Sequence, residues 1–264
     1  MNRTGLMIAL AIAVVVGVVF GIYPDLDVRV ARLFFRPDLQ TPALLKAQAQ
    51  MRQVVLFFIN AMVAAAVLAF LLKLIMPHRR MLMPGRAVVF LIVTMALGPG
   101  LLVNVIAKDQ WGRPRPFMVQ PMGGSEPFFA WWDPRGTCPK NCSFVSGDVS
   151  SGFWVMAPAA LTPTPWRPLA YGAAITLGSG LAVIRMMFGA HFFTDVVFAG
   201  VFTFVIIWLA FNMLYRWPAT RLTDDAVERA IERLARPKFL FPRSVQKPPQ
   251  HAGSDRKSTE RLSD

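Results

Sequence analysis

Val54–Met76, VVLFFINAMVAAAVLAFLLKLIM, decides the fold. A run of about 18 or more mainly apolar residues is long enough to cross a bilayer as one helix, since each residue adds about 1.5 Å along the axis. On its N-terminal side Gly5–Tyr23 is another such run, and on its C-terminal side Ala87–Ala107, Pro168–Phe188 and Phe193–Tyr215 repeat the pattern. A shorter stretch, Gly147–Thr162, carries Pro158 and completes six expected crossings. Proline is tolerated inside a membrane where neighbours satisfy the freed backbone groups. The expected fold is therefore all-α, an integral membrane bundle of six helices. Composition agrees: 55% hydrophobic and 16% charged residues, with a mean hydropathy of +0.45, exclude an ordinary soluble domain. Gly5–Tyr23 follows a basic residue, Arg3, as a signal peptide would, but it outruns a signal core and no A-x-A site follows, so it reads as a retained helix.

The net charge of +13 raises the question of nucleic acid. Its distribution follows topology instead. Arg79, Arg80 and Arg86 cluster in the second connection, and eleven Lys/Arg follow Tyr215. The positive-inside rule places both regions in the cytoplasm, so both termini are cytoplasmic and segments 24–53, 108–146 and 189–192 lie outside. Arg29, Arg32, Arg36, Lys46 and Arg52 in the first outer segment run against the rule. The charge reads as topology plus attraction to lipid headgroups, with no nucleic-acid partner.

Three regions follow. Residues 1–53 hold the first span and an outer amphipathic segment, in which Val28, Val30, Leu33 and Phe34 mix with basic residues as in a chain lying on the bilayer surface. Residues 54–215 form a core of five further spans. Residues 216–264 are a cytoplasmic tail: a short amphipathic helix over 223–235 with Val227, Ile231 and Leu234 on one face and Asp224, Asp225 and Glu228 toward its start, then a disordered stretch from Pro237. Loop 117–145 is rich in proline, glycine and aromatics, including Phe128, Phe129, Trp131 and Trp132, which suits an interfacial belt or a lipid-binding wall. Cys138 and Cys142 share this outer loop, and on an oxidising face they are expected to pair as a disulfide. A zinc site would need more ligands than these two.

The chemistry is carried at the ends of the apolar runs. Lys108 and Arg115 lie in AKDQWGRPRP, Ser146 in CSFVSGD, and Arg185, His191 and Asp195 in IRMMFGAHFFTD. Phosphoryl transfer depends mainly on positioning and on stabilising charge over the equatorial oxygens. Arginine grips two oxygens with a planar fork, and lysine supplies a compact charge. Each cation alone also fits a snorkelling cap at a helix end. On the expected topology, however, all share the exocytoplasmic ends of the helices. His191 and Asp195 are four apart, which on a helix gives them one face. A carboxylate accepting from one ring nitrogen fixes the tautomer and leaves the other to attack phosphorus. Ser146 and Gly147 open the fourth helix, whose free N–H groups suit an anion.

Lys108-x6-Arg115-Pro116, then Ser146-Gly147, then Arg185-x5-His191-x3-Asp195 resembles the type 2 phosphatidic acid phosphatase family, a relative of the vanadium-dependent haloperoxidases. That family's pattern is K-x6-R-P, P-S-G-H and S-R-x5-H-x3-D. The resemblance covers roughly residues 54–215 and implies a membrane lipid phosphatase that uses no metal or cofactor. It further implies phosphate binding by Lys108, Arg115, Ser146, Gly147 and Arg185, a nucleophile in His191 and an orienting partner in Asp195. Val145 and Ile184 depart from the pattern at positions away from the chemistry. Asp148 matters more, because it stands where the family has the histidine that protonates the leaving group. It serves as the general acid, kept protonated against nearby cations by apolar surroundings; or the leaving group needs little help, as with a pyrophosphate; or the protein binds phosphate lipids without turnover.

The expectation is a multi-pass protein of the bacterial inner membrane that dephosphorylates a lipid on the periplasmic face through a phosphohistidine. The carboxylate in the second motif and the two-cysteine loop before it look similar to lipid A phosphatases, which favours lipid A. Undecaprenyl pyrophosphate, phosphatidylglycerol phosphate and phosphatidic acid follow. A non-catalytic binder or transporter is the contrasting class, although no internal repeat of the transporter kind is visible. Oligomeric state is left open by the sequence.

Overall fold

Residues 2–107 and 110–235, described in a computed structural model, are helices joined by short turns and one long loop; among them the sole strand-like pairing is an isolated bridge between Val119 and Glu126. Lys108 and the tail from Pro237 lie outside the described residues. Helix α1, Arg3–Ile22, starts where the Asn2 side chain accepts the Gly5 N–H at 3.0 Å. After α2, Asp25–Phe34, comes α3, Pro42–Ile75, capped by Thr41 and begun by a proline whose missing N–H would have been unpaired there. Helix α4, Gly85–Met95, runs on as a π-helix, Ala96–Ala107, around Pro99, and the Asn104 amide donates to the Pro99 carbonyl at 2.7 Å. Helices α5, Gly147–Trp154, and α6, Met156–Leu161, are followed by α7, Arg167–Met187, α8, Phe193–Phe211, and α9, Asp224–Ala235.

Among the described residues five helices are long and apolar enough to cross a membrane: Arg3–Ile22, Pro42–Ile75, Gly85–Ile106, Arg167–Met187 and Phe193–Arg216. The expected fourth crossing differs. Gly147–Thr162 is two short helices, α5 and α6, broken at Val155, and Pro158 sits in the first turn of α6, where its absent N–H removes no helical bond. This broken element is central to the bundle. Trp154 is fully buried and its indole N–H donates to Thr94 of α4 at 3.0 Å, while the Ser150 and Thr203 hydroxyls pair at 2.7 Å to join α5 to α8. Helices α5 and α7 approach through Gly152 and Gly178. A Cβ on Gly178 would stand 2.7 Å from the Phe153 ring, and one on Gly152 2.7 Å from Leu181. Met7, Val14 and Val15 of α1 and Phe57, Phe58 and Leu68 of α3 are exposed, an apolar outer surface suited to lipid.

The outer segment 24–53 does not lie apart on the surface. Helix α2 buries Val28, Ala31 and Asp27 and packs against α7 and α8. Residues 42–53 are helical and extend α3 about three turns past the apolar run that begins at Val54, carrying Gln48 and Arg52 with them.

The expected helix 223–235 is α9, and it is docked. Val227 and Ile231 are buried, whereas Leu234, assigned to the same face, is exposed. The buried Lys73 of α3 donates to Glu232 at 2.7 Å, Glu228 at 3.1 Å and the Arg79 carbonyl at 2.9 Å, and Arg86 pairs with Asp224 at 3.0 Å. Glu228 thus serves Lys73 rather than the helix start. Lys73→Met keeps the chain's apolar stem and removes these bonds. It is expected to weaken docking of α9 by about 1–3 kcal/mol, read as roughly tenfold or faster hydrogen exchange over residues 226–235.

Candidate active site

The long loop between α4 and α5 is folded back on the helix ends by its own backbone. Cys138 and Cys142 form the disulfide expected of them. Around it, the Cys138 N–H donates to the Gly112 carbonyl and the Ser143 N–H to the Arg113 carbonyl, both at 2.8 Å. The two carbonyls flanking Cys142 then face site residues. Asn141 accepts from Arg115 through Nη2 at 3.0 Å and Nε at 3.3 Å, and Ser143 accepts from Nδ1 of His191 at 2.7 Å. Phe128, Phe129 and Trp131 of the loop are half-buried. Trp131 lies 4.6 Å from the Phe198 ring and Phe128 meets Phe192 edge-on at 5.4 Å, while Trp132 remains exposed.

A cavity of about 190 Å³ opens where these elements meet, walled in part by Arg52 of α3, Arg115, Gly147 and Asp148 at the start of α5, Arg185 at the end of α7, and His191 just before α8. Five of the residues singled out from sequence are thus brought together: Arg115, Gly147, Asp148, Arg185 and His191. Ser146 is fully buried, and its hydroxyl makes no hydrogen bond among the described residues. Asp195 lies behind His191 with no exposure. Burial lowers the pKa of Arg115; Asp148 opposes the fall and the Arg52 charge adds to it. The cavity therefore gathers positive charge with little water to hydrate it, the condition in which an anion binds strongly.

His191 is held differently from the sequence expectation. Asp195 does not accept from the ring: its Oδ2 is 3.9 Å from Nδ1, beyond hydrogen-bond reach. The acceptor is the Ser143 carbonyl. A carbonyl cannot donate, so Nδ1 carries the proton and the lone pair falls on Nε2. Asp195 acts one step further out, accepting from the Ser143 hydroxyl at 2.5 Å and the Phe192 N–H at 2.8 Å.

Sequence reasoning passed over Arg113, Asp27, Ser143, Gln48 and Arg52. Arg113 is wholly buried. Its Nη1 donates to Asp195 at 2.6 Å and Thr194 at 2.9 Å, Nη2 to Asp27 at 2.8 Å and Nε to the Phe129 carbonyl at 3.0 Å. Its guanidinium also lies 4.2 Å over the Phe192 ring. Arg52 donates from Nε to Oδ2 of Asp148 at 2.6 Å, and Nε of Arg185 is 3.3 Å from the same oxygen. Two signals were legible: Arg113 sits two residues before the motif arginine, and Arg52 is among the cations that ran against the topology rule.

The PAP2 superfamily profile matches residues 87–219, about half of the chain, and bears out the resemblance read from the three motifs. A lipid A 4′-phosphatase of Francisella tularensis subsp. novicida (strain U112) is 45% identical over 132 residues, 50% of this chain and 60% of the relative. Lipid A 4′-phosphatases of Rhizobium leguminosarum and of Rhizobium etli (strain ATCC 51251 / DSM 11541 / JCM 21823 / NBRC 15573 / CFN 42) are each 35% identical, over 113 and 112 residues, covering 43% and 42% of this chain. The matches span 48% and 44% of those two proteins, so the chain covers roughly half the length of the relatives it matches. No solved structure matches the chain.

Proposed function

The chain belongs to the PAP2 superfamily, and from that premise we propose that it is a membrane-embedded lipid phosphatase that removes phosphate from lipid A. The site faces the periplasm of a bacterial inner membrane, both termini are cytoplasmic, and turnover passes through a phosphohistidine on His191. The observation that carries this reading is the cavity in which His191, its Nδ1 tied to Ser143, meets Arg115, Arg185 and the start of α5. The three relatives named lipid A 4′-phosphatase support the substrate.

In the proposed reaction Arg115, Arg185, the Ser146 hydroxyl and the Gly147 N–H hold the phosphate oxygens, with Lys108 as a further cation. Nε2 of His191 attacks phosphorus as the bond to the lipid oxygen breaks. Asp148 yields its arginines to the incoming phosphate, takes up the proton that the singly protonated phosphate monoester brings with it, and passes that proton to the departing oxygen. It recovers that proton from the water that cleaves the P–N bond, releasing inorganic phosphate and restoring Nε2. Asp148→Asn keeps the shape and removes the transferable proton. It is expected to lower kcat on lipid A by about 10²–10⁴-fold with KM nearly unchanged, measured by phosphate release from detergent-solubilised protein. A loss under threefold would reduce Asp148 to a structural anion. Run with chelator and with lipid A and undecaprenyl pyrophosphate in parallel, the same assay tests the substrate: release from the pyrophosphate alone overturns the lipid A reading. Outside labelling of a cysteine introduced in loop 117–137 of intact cells tests the orientation, which fails if label enters only after permeabilisation.

A further inference from the structure

The family match begins at residue 87, yet one wall of the cavity comes from earlier in the chain. Gln48 and Arg52 stand one helical turn apart on the extended start of α3, and both line the cavity. Arg52 is the more open of the two cations on Asp148, its side chain 40% exposed against 12% for Arg185, which places it toward the mouth. Asp148 engages only its Nε; the two Nη groups make no hydrogen bond among the described residues. The Gln48 amide nitrogen is buried and also lacks a hydrogen-bond partner among the described residues. A buried donor left unpaired costs about 1–3 kcal/mol, so the pair presents donors that a ligand's oxygens would satisfy.

We infer that α3 supplies a second limb of the substrate site, in which Arg52 grips the phosphate as it replaces Asp148, and Gln48 donates to a hydroxyl or carbonyl oxygen of a sugar headgroup beside that phosphate. The ligand class is a glycolipid phosphate. This rests on the phosphatase reading for the headgroup but not for the anion. Asp148 marks the position: its Oδ2 already occupies an oxygen site between Arg52 and Arg185. A phosphate brings two or three oxygens where the carboxylate brings one, so the unused Nη groups of Arg52 gain partners on exchange. Gln48, one turn closer to the start of α3, then meets the atoms attached to the phosphate rather than the phosphate itself.

Two measurements keep this separate from the turnover question. Calorimetric titration of the purified protein with inorganic phosphate reads the anion limb without catalysis. Arg52→Ala is expected to weaken phosphate binding by about tenfold or more and Arg52→Lys by less, as befits the loss of one charge-assisted bidentate grip, while Gln48→Ala leaves it unchanged. Steady-state hydrolysis then reads the headgroup limb. Gln48→Ala is expected to raise KM for lipid A by about fivefold to tenfold with kcat preserved and to leave KM for phosphatidic acid, which has no sugar, within twofold. Phosphate affinity within twofold of the parent in Arg52→Ala overturns the anion limb, and equal KM changes on both lipids in Gln48→Ala overturn the headgroup limb. Loss of lipid A hydrolysis by the parent protein overturns the substrate reading alone, because the phosphate titration stands regardless.

Discussion

Replacing His191 with asparagine is expected to reduce phosphate release by about 10⁴-fold or more, with the fold and phosphate binding intact. Asparagine is the informative choice because its amide N–H2 occupies roughly the place of Nδ1–H and can still donate to the Ser143 carbonyl, the bond that holds the ring at 2.7 Å. What it removes is the second nitrogen, the one with the lone pair. His191→Ala removes both, so the two variants separate nucleophile from scaffold: equal loss in both places the whole effect on Nε2. Rapid quench of the parent protein with lipid carrying labelled phosphate should trap label on protein that survives base and is released by acid, as a phosphorus–nitrogen bond requires, and neither variant should trap any. Residual turnover above about one hundredth of the parent rate in His191→Asn would mean that water attacks phosphorus directly and that the histidine only positions it.

The apolar runs declared their crossings because length and composition alone decide whether a helix can span. The one run that fell short, Gly147–Thr162, became the broken pair α5 and α6, and Pro158 already marked it. The candidate site was legible wherever chemistry imposes a residue type at a fixed spacing, as with Arg115, Arg185 and His191, which line one cavity. It was not legible where a residue acts through another. Nothing in a linear reading joins Asp27 to Asp195, 168 positions later, or tells that Ser143 rather than Asp195 faces the imidazole. Arg52 was visible as a cation on the wrong side of the topology rule, but the helical extension of α3 that brings it to Asp148 depends on packing, not on periodicity. Leu234 shows the opposite error: periodicity placed it on the buried face, and the docked geometry of α9 leaves it outside.

Arg113→Ala is expected to be the most damaging substitution outside the cavity, destabilising the protein by about 3–5 kcal/mol, because it strands two buried carboxylates, Asp27 and Asp195, without their shared cation. Asp27→Asn in the same background removes one of the stranded charges and should restore part of the loss; a double variant no more stable than Arg113→Ala would show that the cost lies in packing over Phe192 and not in charge. Arg113→Lys separates stability from catalysis. It keeps a positive charge but not a planar fork able to reach Asp195, Thr194, Asp27 and the Phe129 carbonyl together. Asp195 would then hold the Ser143 hydroxyl less firmly, and the Ser143 carbonyl is what fixes His191. Arg113 is thus a positioning residue, and Arg113→Lys should lower kcat about tenfold to a hundredfold while phosphate affinity measured by titration stays within twofold of the parent, since it lines no part of the cavity. A lysine variant with full kcat would disconnect the buried network from the nucleophile and leave it a purely structural tie between α2 and α8.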